Sequence, residues 1–161
     1  MVIKNELKMR EIQSLAQEAF LNVWRTQDRL MADFAQLYKE HELSVAQYNA
    51  LRILRGAGAV GLSCQGVAER MVARVPDITR LLDRLEVRGL VSRERDREDR
   101  RVVVVHATKS ALRLLGQLDE PVLNTHKKQF RNLTRSELRQ LNRLLVKARA
   151  QGGSRDEEDP R

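Results

Sequence analysis

The sequence feature that most constrains the fold is a change of hydrophobic period at Gly89. Upstream, Ile78, Leu81, Leu82 and Leu85 recur at helical spacing. Downstream, Val102–His106 is a β-branched run that reads as a strand. Pro76 suits the first position of the helix, where a missing N–H costs nothing. Asp77 then sits in the first turn, where a negative charge favours the helix dipole, or serves as the cap. Gly89 stops the helix. Leu90–Ser92 start a strand that 93–95 continue, and the polar run 96–101 turns the chain back. A helix running directly into a two-stranded hairpin with a charged tip is the expectation for residues 76–106.

The flanking segments are helical. Ser44 and Gln47 form a capping box that opens a helix to about Arg55, ended by Gly56, Gly58 and Gly61. Ser63 caps a short helix from Cys64 to about Val72. Before them, Ile12, Leu15, Ala19, Val23, Leu30, Phe34 and Leu37 predict one long helix over 5–40, about 54 Å at 1.5 Å per residue. That exceeds what one small core covers, so part of its stripe needs another partner. After the hairpin, Thr108 caps a helix over 109–131, which Pro121 is expected to kink or split. Thr134 and Glu137 form a second capping box that opens a helix to about Ala150.

Short helix, turn, second helix and hairpin in that order is the winged helix-turn-helix arrangement, in which the second helix enters the major groove. The fold class expected is mainly α, with a two-stranded β-wing and flanking dimerisation helices. The division is 1–42 for the N-terminal dimerisation helix, 43–107 for the reading head, 108–151 for the C-terminal dimerisation helices and 152–161 for a disordered acidic tail. Leu7, Ile12, Leu15, Ala19, Phe20 and Val23 at one end, and Leu133, Leu138, Leu141, Leu144, Leu145 and Val146 at the other, would be exposed in a monomer. Pairing two chains buries them.

The net charge of +8 permits a nucleic-acid partner without proving one. Its distribution is uneven. Residues 70–101 hold ten bases and seven acids, whereas 102–151 hold ten bases and three acids. Specific recognition therefore rests on where arginines stand. Pro76, Asp77, Thr79, Arg80, Asp83 and Arg84 occupy the exposed N-terminal turns of the second helix. Thr79 offers a hydroxyl and a methyl, Arg80 a bidentate pair for guanine, and Arg84 a phosphate contact. The bland alternative is a solvated row of i,i+3 charges. The wing carries Arg97, Asp99, Arg100 and Arg101, with a self-paired, merely soluble hairpin as the alternative. Lys127, Lys128, Arg131, Arg135, Arg139 and Arg143 read as a solvated face or a wider electrostatic footprint.

Enzyme and metal readings find no support. His41, His106 and His126 are dispersed, and neither a Gly-rich phosphate loop nor a Gly-x-Ser-x-Gly elbow occurs. No catalytic residue, metal or cofactor is expected. Uninterrupted apolar runs are too short to span a membrane, and the first ten residues lack the apolar core of a secretory signal. With one cysteine, Cys64, a cytoplasmic location fits. Cys64 lies at a helix start and reads as a structural thiol before a redox sensor.

The segment from Asp77 to Val91 resembles the recognition helix of MarR-family transcriptional regulators. Asp99-Arg100-Arg101-Val102-Val103-Val104-Val105 resembles that family's wing, and Leu43–Leu51 its second helix. The likeness covers about residues 10–150. Ala107-Thr108-Lys109-Ser110-Ala111-Leu112 departs from the family's Leu-Thr-x-x-x-Gly. The resemblance implies a homodimer on double-stranded DNA, in most members a repressor on a pseudo-palindromic operator, with Asp99 orienting Arg101 and a wing arginine in the minor groove. It also implies a small aromatic or anionic effector, for which Trp24, His41, Tyr48 and Arg52 are candidate lining. The alternative is a winged-helix adaptor or a non-specific DNA-binding protein without an operator.

Overall fold

The computed structural model describes residues 2–95, 100 and 102–150. The chain forms α1 (Val2–Glu6), α2 (Leu15–Lys39), α3 (Val45–Ala57), β1 (Leu62–Ser63), α4 (Cys64–Arg70), α5 (Ile78–Val87), β2 (Val91–Arg95), β3 (Val103–Ala107), α6 (Lys109–Gln129) and α7 (Arg135–Arg149). It divides into two compact units, Met1–Thr125 and His126–Arg161. Arg97, Asp99, Arg101 and the segment 152–161 lie outside the described residues.

The single helix expected over 5–40 is corrected to two. Ser14 ends the run, because its Oγ accepts from the Gln17 N–H at 3.1 Å and the Gln17 side chain accepts from the Gln13 N–H at 2.6 Å. That reciprocal cap fixes a helix start at Leu15. Ile12 therefore falls between α1 and α2, and Lys8 takes a left-handed φ of 52°. Elsewhere the capping signals act as read. Ser44 and Gln47 close both halves of their box on α3, and Thr134 and Glu137 do the same on α7. Ser63 Oγ accepts from Gly66 at the head of α4.

Pro121 does not divide α6, which runs unbroken from Lys109 to Gln129. Its ring removes one main-chain bond, yet Leu115 and Leu118 on the preceding turns are fully buried and hold that part of the helix. Thr125 Oγ1 donates to the Pro121 carbonyl at 2.9 Å, a local partner on the following turn.

The wing hairpin pairs as expected, with Val91 opposite Ala107 and Arg95 opposite Val103. A short third strand, β1, joins the other edge of β3 through Leu62–Val105 and Ser63–Val104. Gly61 makes this approach possible. Its φ is 66°, and a Cβ there would lie 2.5 Å from His106 Cε1.

One hydrophobic core, in the unit Met1–Thr125, sets these elements. Leu51 and Leu54 of α3, Val67 of α4, Leu82 and Leu85 of α5, Val105 of β3 and Leu115 and Leu118 of α6 are essentially inaccessible. Phe34 and Tyr38 of α2 extend it by stacking, and Tyr38 stacks on Tyr48 of α3 at 4.2 Å between centroids. Burial, then the neighbouring Tyr48, pushes the Tyr38 phenol well above its ordinary pKa, and Arg52 pulls it down less. Arg55 Nη1 of α3 donates to both carboxylate oxygens of Asp119 of α6, at 2.8 and 2.9 Å. Leu15, Phe20, Val23 and Trp24 of α2 stay exposed, as do Leu144 and Val146 of α7.

Candidate nucleic-acid interface

Helix α5 has two sides of different chemistry. Leu82 and Leu85 are buried, with Ile78 and Leu81 packed against the same core. Thr79, Arg80, Asp83, Arg84 and Val87 are exposed. The spacing of the leucines therefore fixes which residues α5 offers outward.

Both ends of α5 are pinned. Asp77, extended at φ −139°, is the N-cap, and its Oδ1 accepts from the Arg80 N–H at 2.9 Å. Pro76 is thus one residue outside the helix, not its first residue. The Asp77 carboxylate satisfies a free donor of the first turn and takes the cap position itself. At the other end the Gly89 N–H donates to Glu86 O at 2.8 Å and the Leu90 N–H to Leu85 O at 2.9 Å. This is the Schellman pairing, with Gly89 left-handed at φ 66°. Thr108 Oγ1 donates to Gly89 O at 2.7 Å and accepts from the Ala111 N–H at 3.2 Å, which ties the end of α5 to the start of α6. Arg88 donates to the carbonyls of Glu42 and His41, gripping the turn between α2 and α3.

The wing is fastened to α5 by Arg93 of β2, whose partners lie outside its own hairpin. Its Nη2 lies 2.6 Å from Asp83 Oδ1, and its Nη1 lies 2.6 Å from Glu86 Oε2. Burial works against the charge of Arg93, but the Asp83 hydrogen bond and the charges of Glu86 and Asp83 outweigh it. Its pKa therefore sits above the ordinary arginine value. Asp83 is engaged in this brace, and Asp77 in the cap. Asp77 and Asp83, the two acids named as candidate DNA contacts around α5, thus each have a structural partner.

In front of α5 lies an open hollow of about 390 Å³, lined by Ser44, Ala46 and Gln47 of the α3 start, by Pro76 and Asp77, and by Arg80, Leu81 and Arg84. The structure brings Pro76, Asp77, Arg80 and Arg84 together at one surface. It adds Ser44 and Gln47, whose capping box was legible but whose nearness to α5 depends on packing. Arg100 is exposed in the turn between β2 and β3.

Each of the four candidate effector residues has its own surroundings. Trp24 is exposed, meets Phe20 edge-on at 5.7 Å and lines a hollow of about 250 Å³ with Leu7, Leu21, Arg25 and Asp28. Tyr48 is buried against Tyr38. Arg52 is exposed, and its Nη2 donates to Asn49 Oδ1 at 3.1 Å. His41 is half-buried at the turn held by Arg88. Cys64 is half-buried at the start of α4.

Two helices packed across a turn, the second presenting Arg80 and Arg84 outward, with a hairpin braced against it, define a winged helix-turn-helix regulator of transcription. Residues 43–103 match the MarR family. The chain is 46% identical to a MarR transcription factor of Planctomyces limnophilus of known structure, with a TM-score of 0.65, over 84% of this chain and 98% of that one. The transcriptional repressor IacR of Pseudomonas putida is 28% identical over 121 residues, 75% of this chain and 71% of that protein. The fold is shared with Bordetella bronchiseptica BpsR, whose DNA binding is regulated by 6-hydroxynicotinic acid, at a TM-score of 0.77 and 22% identity over 88% of this chain and 100% of that one. The chain belongs to the MarR family. Its relatives are transcription regulators, not enzymes.

Proposed function

We propose that this protein is a homodimeric repressor that reads a pseudo-palindromic operator in double-stranded DNA. The observation that carries the reading is the outward side of α5, where Arg80 and Arg84 share a hollow with the start of α3. Arg80, one turn into the helix, reaches base edges and pairs bidentately with guanine. Thr79 contributes a hydroxyl and a methyl beside it. Arg84 and the first turn of α3 hold phosphates and set the register. Of the wing residues, Arg97, Arg100 and Arg101 lie along the backbone, with one guanidinium in an A·T-narrowed minor groove and Asp99 orienting Arg101. Asp77 and Asp83 serve as cap and brace.

The exposed apolar side chains of α2 and α7 support a two-fold dimer, which buries them and places two reading heads about one helical turn apart. No helix among the described residues is long and apolar enough to cross a membrane. Action on DNA in the cytoplasm fits. A small aromatic or anionic effector, supported by the likeness to BpsR, releases the operator by binding better to a dimer whose heads do not match adjacent grooves.

The test is Arg80→Ala and Arg84→Ala, each measured against the promoter DNA beside the protein's own gene over a range of salt. Loss of Arg80 costs about 1–3 kcal/mol and relaxes preference at one base position. Loss of Arg84 weakens all sequences alike and reduces the salt slope by about 1. Unchanged affinity and slope in both variants overturn the proposed contacts. No sequence preference in the unsubstituted protein points instead to an adaptor or a non-specific binder.

A further inference from the structure

The unit His126–Arg161 holds a charge imbalance that DNA reading by α5 does not use. Between His126 and Ala150 there are eight lysines and arginines and one carboxylate, Glu137. That carboxylate is committed, since Glu137 Oε2 accepts from the Thr134 N–H at 2.7 Å and from the Thr134 hydroxyl at 2.8 Å. Those bonds hold its pKa below the ordinary carboxylate value.

The cations are ordered along α7. Arg135, Arg139, Arg143 and Lys147 recur every four residues, all exposed, opposite the half-buried stripe of Leu138, Leu141 and Leu145. Successive charges stand about 6 Å apart along the axis. Like charges at this spacing destabilise a helix. Such a face favours an anionic ligand with several charges in series.

The sequence supplies one directly after the helix. Asp156, Glu157, Glu158 and Asp159 are consecutive, and Gly152-Gly153 lies between them and α7. Glycine pairs allow a chain reversal without steric cost. From Ala150 to Asp156, six residues reach at most about 20 Å. Arg143, seven residues back along the helix, is only about 10 Å away along the axis. A short linker of this kind gives an effective concentration of roughly millimolar. We propose that the cationic face of α7, centred on Arg143 and Lys147, is the docking site of the chain's own acidic segment 156–159. The docked segment takes the place of external polyanions on that face and leaves DNA attraction to α5 and the wing.

Paramagnetic relaxation on the full chain tests this. Cys64→Ser removes the native thiol, and Arg161→Cys carries a nitroxide. The expected result is strong, selective broadening of the α7 amides from Arg139 to Lys147. It disappears when Asp156, Glu157, Glu158 and Asp159 are replaced by their amides, and when salt is raised to about 1 M, where screening falls to about 3 Å. Arg143→Gln with Lys147→Gln abolishes it as well while circular dichroism stays helical. Broadening that is absent from α7, or that survives amidation of the acids, overturns the proposal. So does broadening centred on α5. If α7 amides instead shift on addition of a non-operator duplex and ignore the acidic segment, the face is a nucleic-acid surface and the proposal fails.

Discussion

Arg93→Ala is the sharpest probe of how the reading head is held. The guanidinium is the only described link from β2 to the carboxylates of α5, at 2.6 Å from both Asp83 and Glu86. The Arg93 side chain is 21% exposed, against 51% and 39% for its partners. Fully buried charge-assisted bonds are worth about 1.5–3 kcal/mol each, and exposed pairs at most about 1. With acids this open to solvent, about 1 kcal/mol per pair is appropriate, so the variant loses about 2 kcal/mol. At about 2–4 °C per kcal/mol for a chain of this size, Tm falls by about 4–8 °C at fixed protein concentration. DNA affinity falls as well, because Asp83 and Glu86 keep their charge beside the phosphates without a counter-charge. Arg93→Lys restores part of the stability only, since an ammonium cannot bridge two carboxylates as a planar fork does. Calorimetry with a double-mutant cycle against Asp83→Asn measures the pair directly. A wild-type Tm for Arg93→Ala, or a coupling energy near zero, would refute the brace.

Three further outcomes follow from the geometry. Gly61→Ala meets both a left-handed φ and the His106 ring, so it destabilises by more than about 1 kcal/mol in denaturant titration; full tolerance would mean that β1 does not pair as described. The folded pKa of Tyr38 is raised, so its contribution is fully present below pH 10 and is lost as pH climbs above the unfolded value; absorbance at 295 nm should show Tyr38 ionising only together with unfolding. The folded pKa of Glu137 is lowered, so its cap is intact above the ordinary carboxylate value of 4.5 and fails as pH falls through the folded one. Amide protection, taken relative to the intrinsic exchange rate at each pH, should therefore fall in acid in the first turn of α7 and not in that of α3.

Local signals carried much of the fold. Ser44, Ser63, Thr108 and Thr134 mark helix starts because the side chain that caps and the donor it satisfies are three residues apart. Gly89 marks a helix end for an equally local reason. The break before Leu15 was written in Ser14 and Gln17, but an apolar stripe without proline or glycine masked it. Long-range pairings were not legible. Nothing in Leu62-Ser63 announces its register on β3, and Arg93 looks like one of many wing arginines until packing sets it against Asp83. The same holds for Asp83, which its exposed position suggested as a base contact and which the fold supplies with a partner from the next element.

The most direct test of the central claim is a hydroxyl-radical footprint on DNA fragments selected from the genome, at moderate salt. A dimer reading through α5 predicts two protected half-sites, related by a two-fold axis, with centres about 10 base pairs apart. Weakened protection of both halves by Arg80→Ala is expected with it. Uniform protection without preferred fragments, or a single unpaired site, would contradict the account.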